Sequence, residues 1–163
     1  SIAPGMTATE IFRIGDGWWQ PDAWGVWTKA QGGTLAVTLP ADLGPGRLYL
    51  GLRGLHETAL KYTLSIAGSV IETRVLEAGG EQWLSLVVGP DQAPQDVLRI
   101  DIKGDKVEDF SVATKGADPR VAGVGLIGFM ICAEDDAVAR ADMVDAITFG
   151  TLSDLADRYL AKA

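Results

Sequence analysis

Hydrophobic and polar residues alternate in several short runs along this chain, and a period of two residues is typical of half-buried β-strands. In residues 34–39 every second position is leucine or valine, and the positions between them are threonine or alanine. Residues 47–55 repeat the pattern, with leucine at every second position from Leu48 to Leu52. Each run predicts a strand that turns one face toward a core and the other face away from it.

Further short runs of this kind are separated by glycine, proline and small polar residues at intervals of about 8–12 residues. We expect hairpins at Gly68-Ser69 and at Lys103-Gly104-Asp105, where turn residues lie between two runs. The predicted strands are residues 10–14, 24–29, 34–39, 47–55, 61–67, 70–76, 82–88, 96–102, 106–113 and 121–132. Roughly nine or ten strands of this length predict an all-β fold, a jelly-roll-like antiparallel sandwich of two sheets.

The last part of the chain changes to a helical pattern. Residues 137–146 and 153–163 have helical character, and Ser153 is a suitable N-cap. Apolar residues recur there at spacings of three and four, which is typical of a helix with one packed face. We therefore predict a β-sandwich domain at residues 1–136 and a C-terminal helical extension at residues 137–163. This extension packs on the sandwich edge, begins a linker or serves oligomerisation.

Composition and charge limit the possible functions. The 163 residues are 47% hydrophobic and 22% charged, which fits one globular domain with a sizeable core. Lysine and arginine number 14 against 22 acidic residues, and the net charge is −8. Nucleic-acid binding depends on neutralising phosphates, so this balance argues against nucleic acids and anionic membrane surfaces. No apolar stretch approaches the ~20 residues of a membrane span. A neutral ligand such as a glycan is compatible.

The sequence offers no constellation for catalysis, metal binding or a cofactor. One cysteine, Cys132, lies in an apolar run, and we expect it to be a small buried side chain. One cysteine and one histidine do not supply the ligands of a zinc site. The acidic residues clustered in 101–109 and 134–136 are expected to be solvated charges. A formal glycine fingerprint at 123–128 lies inside a predicted buried strand, so we attribute it to chance.

The most distinctive feature is residues 17–28, which contain four of the five tryptophans. Aromatic rings stack on the C–H faces of sugar rings, and they also fasten protein cores, so both interpretations stay open. We expect Trp24 and Trp27 to lie on opposite faces of an extended strand and to fasten the sandwich. The sugar-binding hypothesis predicts that at least two of the four tryptophans are substantially exposed beside a groove, and burial of all four would remove this site assignment.

The candidate carbohydrate-binding residues are those that we expect in loops. Trp18, Trp19, Gln20 and Asp22 precede the strand of Trp24 and Trp27, where a ligand has access. His56 and Glu57 follow another predicted strand, and they either orient a ligand or form a solvated loop pair. The full predicted binding set is Trp18, Trp19, Gln20, Asp22, His56 and Glu57.

Residues 17–28 resemble the Gly-Trp-x-x-x-Glu-x-Trp-Gly-x-Trp-Thr opening of β-sandwich accessory modules in bacterial glycosyltransferases and other polysaccharide-related proteins. Asp22 stands where that pattern has glutamate. Residues 118–126 are similar to the Asp-x-Arg-x-Leu-Gly-Ile-x-Leu strand entry of the same modules. The resemblance implies a jelly-roll-like fold and an association with polysaccharide synthesis or recognition. We expect Asp118 and Arg120 to pair and to hold the loop before the last strand.

The leading hypothesis is a non-catalytic carbohydrate-binding module that recognises a bacterial surface or exported polysaccharide. The alternative is a structural or interaction domain of a larger polysaccharide-related or multi-subunit assembly, with a protein partner or a second copy bound through the C-terminal helix. A hydrolase or lyase is a weaker third hypothesis, because it requires an open groove with two facing carboxylates. The chain begins at Ser1 rather than methionine, and we expect a processed protein or an excised domain.

Overall fold

The alternating runs form the strands of two antiparallel sheets. The computed structural model describes residues 5–7 and 13–160. The strands are β1 (Gly5–Thr7), β2 (Arg13–Ile14), β3 (Val26–Trp27), β4 (Gly33–Thr38), β5 (Gly46–Arg53), β6 (Leu60–Ile66), β7 (Ser69–Leu76), β8 (Glu81–Val88), β9 (Val97–Gly104), β10 (Glu108–Asp109), β11 (Val121–Ala122) and β12 (Gly125–Ala133). The helices are α1 (Phe110–Ala113), α2 (Ala137–Phe149) and α3 (Leu152–Leu160).

The first sheet has the strand order β1-β12-β5-β8, and β3 also pairs with β12. The second sheet has the order β2-β4-β9-β6-β7, and β10 and β11 form a separate two-stranded ribbon. The two sheets share one buried core, so the prediction of a two-sheet antiparallel sandwich with a helical C-terminus is confirmed.

The core follows from the period of two in the strands. The inward positions of β5 are leucines, and those of β9 are Leu98, Ile100 and Ile102, all at most 1% exposed. The outward positions of β9 between them are polar or exposed. Burial of each such side chain contributes about 1.5–3 kcal/mol to folding.

The predicted hairpin at Lys103-Gly104-Asp105 is wrong. The segment after β9 does not pair with β9. Strand β9 pairs with β4 and β6, and β10, the next strand in the chain, pairs with β11. Residues 110–113 form helix α1 instead of a strand. The Asp109 carboxylate accepts a 2.9 Å hydrogen bond from the Ser111 N–H and caps this helix, while Phe110 is fully buried.

The other predicted hairpin is confirmed, with its turn one residue earlier. Ala67 and Gly68 have φ values of 52° and 80°, and Ile66 pairs with Ser69. Two consecutive residues with positive φ are typical of a type I′ turn, which matches the twist of antiparallel strands. Of the first predicted strand, residues 13–14 form β2, and residues 10–12 lie outside the described residues.

The helical extension packs on the outer face of the first sheet. Helix α2 begins after Asp136, whose carboxylate accepts a 3.0 Å hydrogen bond from the Ala139 N–H. It ends at Phe149 and is followed by Gly150, whose φ of 68° terminates the helix. Helix α3 starts at Leu152, so Ser153 lies inside the helix and the predicted N-cap is wrong. The buried cluster between helices and sheet is Tyr49, Met130, Cys132, Ala139, Met143, Ala146 and Leu155.

Cys132 lies in this second cluster and is 6% exposed, which confirms the expected buried side chain. Burial raises the pKa of its thiol to about 11, so the group stays protonated near neutral pH. Among residues 5–7 and 13–160, no helix is long and apolar enough to cross a membrane.

The loops that contain the predicted binding residues lie at one end of the sandwich, which we name the loop end. It comprises residues 17–29, 54–59 and 105–124. A Cβ atom added to Gly104, the last residue of β9, would lie 3.3 Å from Val124 and 3.4 Å from Leu60. The end of β9, the start of β6 and the approach to β12 therefore meet here, and β5 also ends here because Arg53 pairs with Gly125.

Candidate functional site

The tryptophan segment folds into a narrow hairpin at the loop end. Trp18 pairs with Thr28, and the Trp19 N–H donates a 3.0 Å hydrogen bond to the Trp27 carbonyl. At the tip, the Asp22 N–H donates to the Gly25 carbonyl at 2.7 Å. The tip residue Trp24 lies before β3, and its ring is 4.9 Å from that of Trp27 in an edge-on contact. The expectation that these two rings lie on opposite faces is therefore wrong.

This hairpin is fixed to the chain that leads into β12. Thr28 is 1% exposed, its N–H donates to the Val124 carbonyl at 2.8 Å, and its Oγ1 accepts from the Val124 N–H at 2.9 Å. A Cβ atom added to Gly123 would lie 2.6 Å from Thr28 Oγ1, so glycine is needed for this approach. Residues 17–28 and 118–126, the two segments that carry the resemblance, thus pack against each other.

The indole N–H groups of Trp18 and Trp19 each donate a hydrogen bond to a backbone carbonyl. Trp18 Nε1 donates to the Thr34 carbonyl at 3.0 Å, and Trp19 Nε1 donates to the Val121 carbonyl at 2.9 Å. Both rings pack against the main core and are half-buried. The Lys29 ammonium lies 5.0 Å above the Trp19 ring, within cation–π range. Both tryptophans therefore fasten the hairpin to the sandwich.

Arg120 joins the hairpin tip to the strand entry. Its Nε and Nη2 donate to the two carboxylate oxygens of Asp118 at 2.9 and 2.7 Å, which confirms the expected pairing. Its Nη1 donates to Asp22 Oδ2 at 3.1 Å. The guanidinium also lies 5.9 Å from the centre of the Phe110 ring. Asp22, at the glutamate position of the pattern that residues 17–28 resemble, therefore serves as a partner of Arg120.

Protonation of this cluster gives a testable pH dependence. Hydrogen bonds from Arg120 lower the pKa of Asp118 below its ordinary value. A carboxyl group with a lowered folded-state pKa stabilises the fold above its unfolded pKa of about 3.9, and this contribution is lost as pH falls through the folded value. We expect Asp118→Asn to destabilise the protein at neutral pH, and the difference from wild type to shrink as the solution is acidified.

The measurement is the urea midpoint of unfolding between about pH 6 and about pH 3. Asp42→Asn, at an exposed residue beyond the loop end, is the matched control and should follow the wild type throughout. A difference between Asp118→Asn and wild type that stays constant over this range would contradict the role of the Asp118 carboxylate.

Four aromatic side chains meet beside the Arg120 cluster. The ring centres of Trp27 and Phe110 are 5.1 Å apart, and His56 lies 4.4 Å from Phe110 and 5.7 Å from Trp27. Trp27 and Phe110 are buried, whereas His56 is exposed. Trp24, which is half-buried, also contacts the Trp27 ring and carries the Arg53 guanidinium 4.4 Å from its ring centre. The buried pair supports two accessible rings, His56 and Trp24.

The loop that carries His56 and Glu57 is held from below by Glu108. The Glu57 N–H donates to Glu108 Oε1 at 2.8 Å, and Glu108 is only 9% exposed. Its second oxygen, Oε2, is buried without a hydrogen-bond partner among the described residues. This contact fixes the loop and leaves the Glu57 carboxylate exposed.

The structure brings only part of the predicted binding set together. His56 lies on the aromatic cluster and Glu57 is its exposed neighbour in the loop. Asp22 approaches the cluster through Arg120, and Gln20 is exposed near the hairpin tip. Of the four tryptophans in the segment, Trp27 is buried and the other three are half-buried, so none meets the expectation of substantial exposure.

Sequence reasoning missed two residues of this cluster, Arg53 and Phe110. Arg53 occupies an outward position at the end of β5, immediately before the loop of His56 and Glu57, and the alternation of that strand was a usable signal. The pattern of residues 106–113 predicts a strand at Phe110, but the position of this side chain depends on helix α1.

The acidic residues around β9 do not converge. Asp101 accepts from the Thr34 hydroxyl, Asp105 from the Lys61 N–H and Asp109 from the Ser111 N–H, each in a different local contact. Within the described ranges, no group of three histidine, cysteine, aspartate or glutamate side chains is arranged to hold a metal ion.

No protein-family model and no curated protein matches the sequence. Solved structures do match its fold. The CBM36-1 domain of a multidomain xylanase from the hindgut metagenome of Trinervitermes trinervoides has a TM-score of 0.51 and 11% identity, over 78% of this chain and 94% of that one. A carbohydrate-binding module CBM36 in complex with calcium and xylotriose has a TM-score of 0.50 and 10% identity, over 78% and 98%.

A family 35 carbohydrate-binding module from an environmental isolate has a TM-score of 0.51 and 8% identity, over 80% of this chain and 93% of that one. Identities this low concern the fold alone. The likeness therefore supports the two-sheet sandwich that the strand pairing shows.

Proposed function

We propose that this chain is a non-catalytic carbohydrate-binding module for a bacterial surface or exported polysaccharide, and that its loop end contacts the sugar. The observation that carries the proposal is the group of accessible side chains there: the Trp24 ring with the Arg53 guanidinium above it, beside exposed His56 and Glu57. This group combines an apolar ring face with hydrogen-bonding groups, which is the chemistry that a sugar ring with its hydroxyls requires.

The accessible side chains supply both hydrogen-bond donors and hydrogen-bond acceptors. The Glu57 carboxylate accepts hydrogen bonds and the Arg53 guanidinium donates them, so a sugar hydroxyl has partners for both of its functions. The indole N–H of Trp24 forms no hydrogen bond with a described residue and is a further donor. The supports beneath, Trp27, Phe110 and Arg120, fix these groups before binding, which reduces the entropy that binding costs.

The predicted binding residues divide into two roles under this proposal. His56, Glu57 and Gln20 are exposed and contact the ligand. Trp18, Trp19 and Asp22 position the hairpin, because their polar groups are engaged within the protein.

The matched solved structures support the ligand class. All three are described as carbohydrate-binding modules, and one of them was solved with xylotriose. Neutral oligosaccharides are therefore the first ligands to test, and the net charge of −8 is compatible with them. A closer relation to the tryptophan-rich accessory modules of bacterial glycosyltransferases is part of the proposal, supported by the mutual packing of residues 17–28 and 118–126.

Affinity electrophoresis tests the site. The protein is run through gels that contain xylan, laminarin or a soluble cellulose derivative, and retardation reports binding. We expect the double variant His56→Ala/Glu57→Ala to bind about ten-fold more weakly than wild type, since lost hydrogen bonds to charged groups have this magnitude. Asp42→Ala, away from the loop end, is the control. Equal retardation of wild type and double variant would place the sugar elsewhere.

The non-catalytic part of the proposal has its own measurement. Prolonged incubation with each polysaccharide that retards the protein should release no reducing ends and no unsaturated sugars. Release of either product by the purified chain would show a hydrolase or a lyase.

One observation favours the alternative of an interaction domain. Val138 and Phe149 of α2 are 70% and 74% exposed, and residues eleven apart lie on the same side of a helix. The same helix packs on its own sheet through Met143 and Ala146, so its exposed side is a candidate surface for self-association. Light scattering over a range of concentrations tests this alternative, which requires a rise in mass that Phe149→Ser abolishes.

A further inference from the structure

A groove on the second sheet provides another candidate binding surface near the loop end. It lies where residues 15–17 and 31–34 meet the end of β9, and its volume is about 300 Å³. This volume is at the lower end of the range of sites for small ligands, roughly 300–1,000 Å³, and fits a single sugar unit. Its lining consists of four glycines, Ile102 and five polar residues: Asp16, Gln31, Thr34, Asp101 and Lys103.

The glycines give the groove a fixed wall. A Cβ atom on Gly17 would lie 2.1 Å from the Gly32 carbonyl oxygen, and one on Gly32 would lie 2.4 Å from the Ile102 carbonyl oxygen. The backbones of the two loops and of β9 are thus in direct contact, and side chains larger than hydrogen are excluded between them. A groove built in this way is formed before a ligand arrives, which favours binding.

The groove offers one oriented carboxylate and one available ammonium group. The Thr34 hydroxyl donates to Asp101 Oδ1 at 2.6 Å and orients the carboxylate, while Oδ2 has no partner among the described residues. Lys103 is exposed, forms no ion pair with a described residue, and follows Asp101 by two positions on the same face of β9. The two residues lie about 7 Å apart along the strand.

These groups select the class of ligand. Asp16, Asp101 and Lys103 together carry one net negative charge, so a uronate or a sulfated sugar is repelled. No aromatic ring lines the groove, and recognition therefore depends on hydroxyl groups, which accept from the lysine and donate to the carboxylate. We infer that this groove is a second subsite, which binds a neutral sugar unit through Asp101 and Lys103. The inference rests on the proposed carbohydrate-binding function.

Isothermal titration calorimetry tests the subsite with four probes: xylotriose, cellotriose, laminaritriose and trigalacturonic acid. The variants are Asp101→Asn and Lys103→Met, and the matched control is Arg99→Met, on the same face of β9 but outside the groove. We expect each groove variant to weaken binding of the best neutral probe by about ten-fold, and Arg99→Met to leave it unchanged. Trigalacturonic acid should bind more weakly than the neutral probes.

The possible outcomes separate the subsite from the proposed function. If a neutral probe binds wild type and both groove variants equally, while His56→Ala/Glu57→Ala weakens it, the subsite is wrong and the loop-end proposal stands. If none of the neutral probes binds wild type, both proposals are overturned. Preference for trigalacturonic acid would overturn the inferred ligand class. The thermal unfolding midpoint of each variant is compared with that of wild type. Equal midpoints establish that lost binding does not reflect lost folding.

Discussion

Replacement of Trp27 by alanine is expected to lower the free energy of unfolding by about 3–5 kcal/mol, the range for removal of a large buried aromatic side chain. Trp27 is 2% exposed and contacts the rings of Trp24, His56 and Phe110. Its loss leaves a cavity beneath the loop end, and three side chains lose their common support. Each aromatic pair of this kind adds about 0.5–1.5 kcal/mol of stability to the contribution from its buried area.

Urea unfolding followed by circular dichroism measures this effect. Trp24→Ala is the matched control. Because the Trp24 ring is only half-buried, its removal should lower the free energy of unfolding less than removal of the Trp27 ring. If Trp27→Ala were as stable as wild type, the buried aromatic support at the loop end would be refuted.

Replacement of Arg120 by methionine is expected to destabilise the protein by about 2–3 kcal/mol. Methionine retains an apolar stem above Phe110, but it removes three hydrogen bonds and leaves Asp118 and Asp22 as half-buried carboxylates without their cation. Arg120→Lys should recover only part of the loss, because a lysine cannot form the two parallel hydrogen bonds to Asp118.

Chemical denaturation of four proteins tests the Arg120 prediction: wild type, Arg120→Met, Asp118→Asn and the double variant. Because the two residues interact directly, their effects should not add in the double variant. Arg74→Met serves as the control, since Arg74 forms an exposed pair with Glu72 and should change stability little. Additive effects of Arg120→Met and Asp118→Asn would show that the pairing does not stabilise the fold.

The alternating pattern predicted the sandwich because burial of one strand face imposes a period of two on the sequence. It succeeded where strands are long and paired on both sides, as in β5 and β9. It failed at residues 106–113, where the Asp109 cap and the buried Phe110 favour a helical turn over a strand. Local capping is a short-range signal that an alternation of apolar residues does not contain.

The candidate site was predicted less completely, because its composition depends on contacts between distant segments. The pairing of Asp118 with Arg120 is local and could be anticipated, whereas the bond from Arg120 to Asp22 joins residues 98 positions apart. The hydrogen bonds from the indole N–H groups of Trp18 and Trp19 likewise join residues that are far apart in the sequence. A cluster of tryptophans in sequence therefore indicated an important segment without showing which rings are accessible.

An amide NMR titration tests most directly the proposal that the loop end of this sandwich binds a neutral saccharide. Xylotriose, cellotriose and laminaritriose are each added to the isotopically labelled protein. We predict saturable shifts for at least one of them, concentrated at residues 20–25 and 53–57 around Trp24, Arg53, His56 and Glu57. Unchanged spectra with all three sugars, or shifts confined to α2 and α3, would contradict the claim.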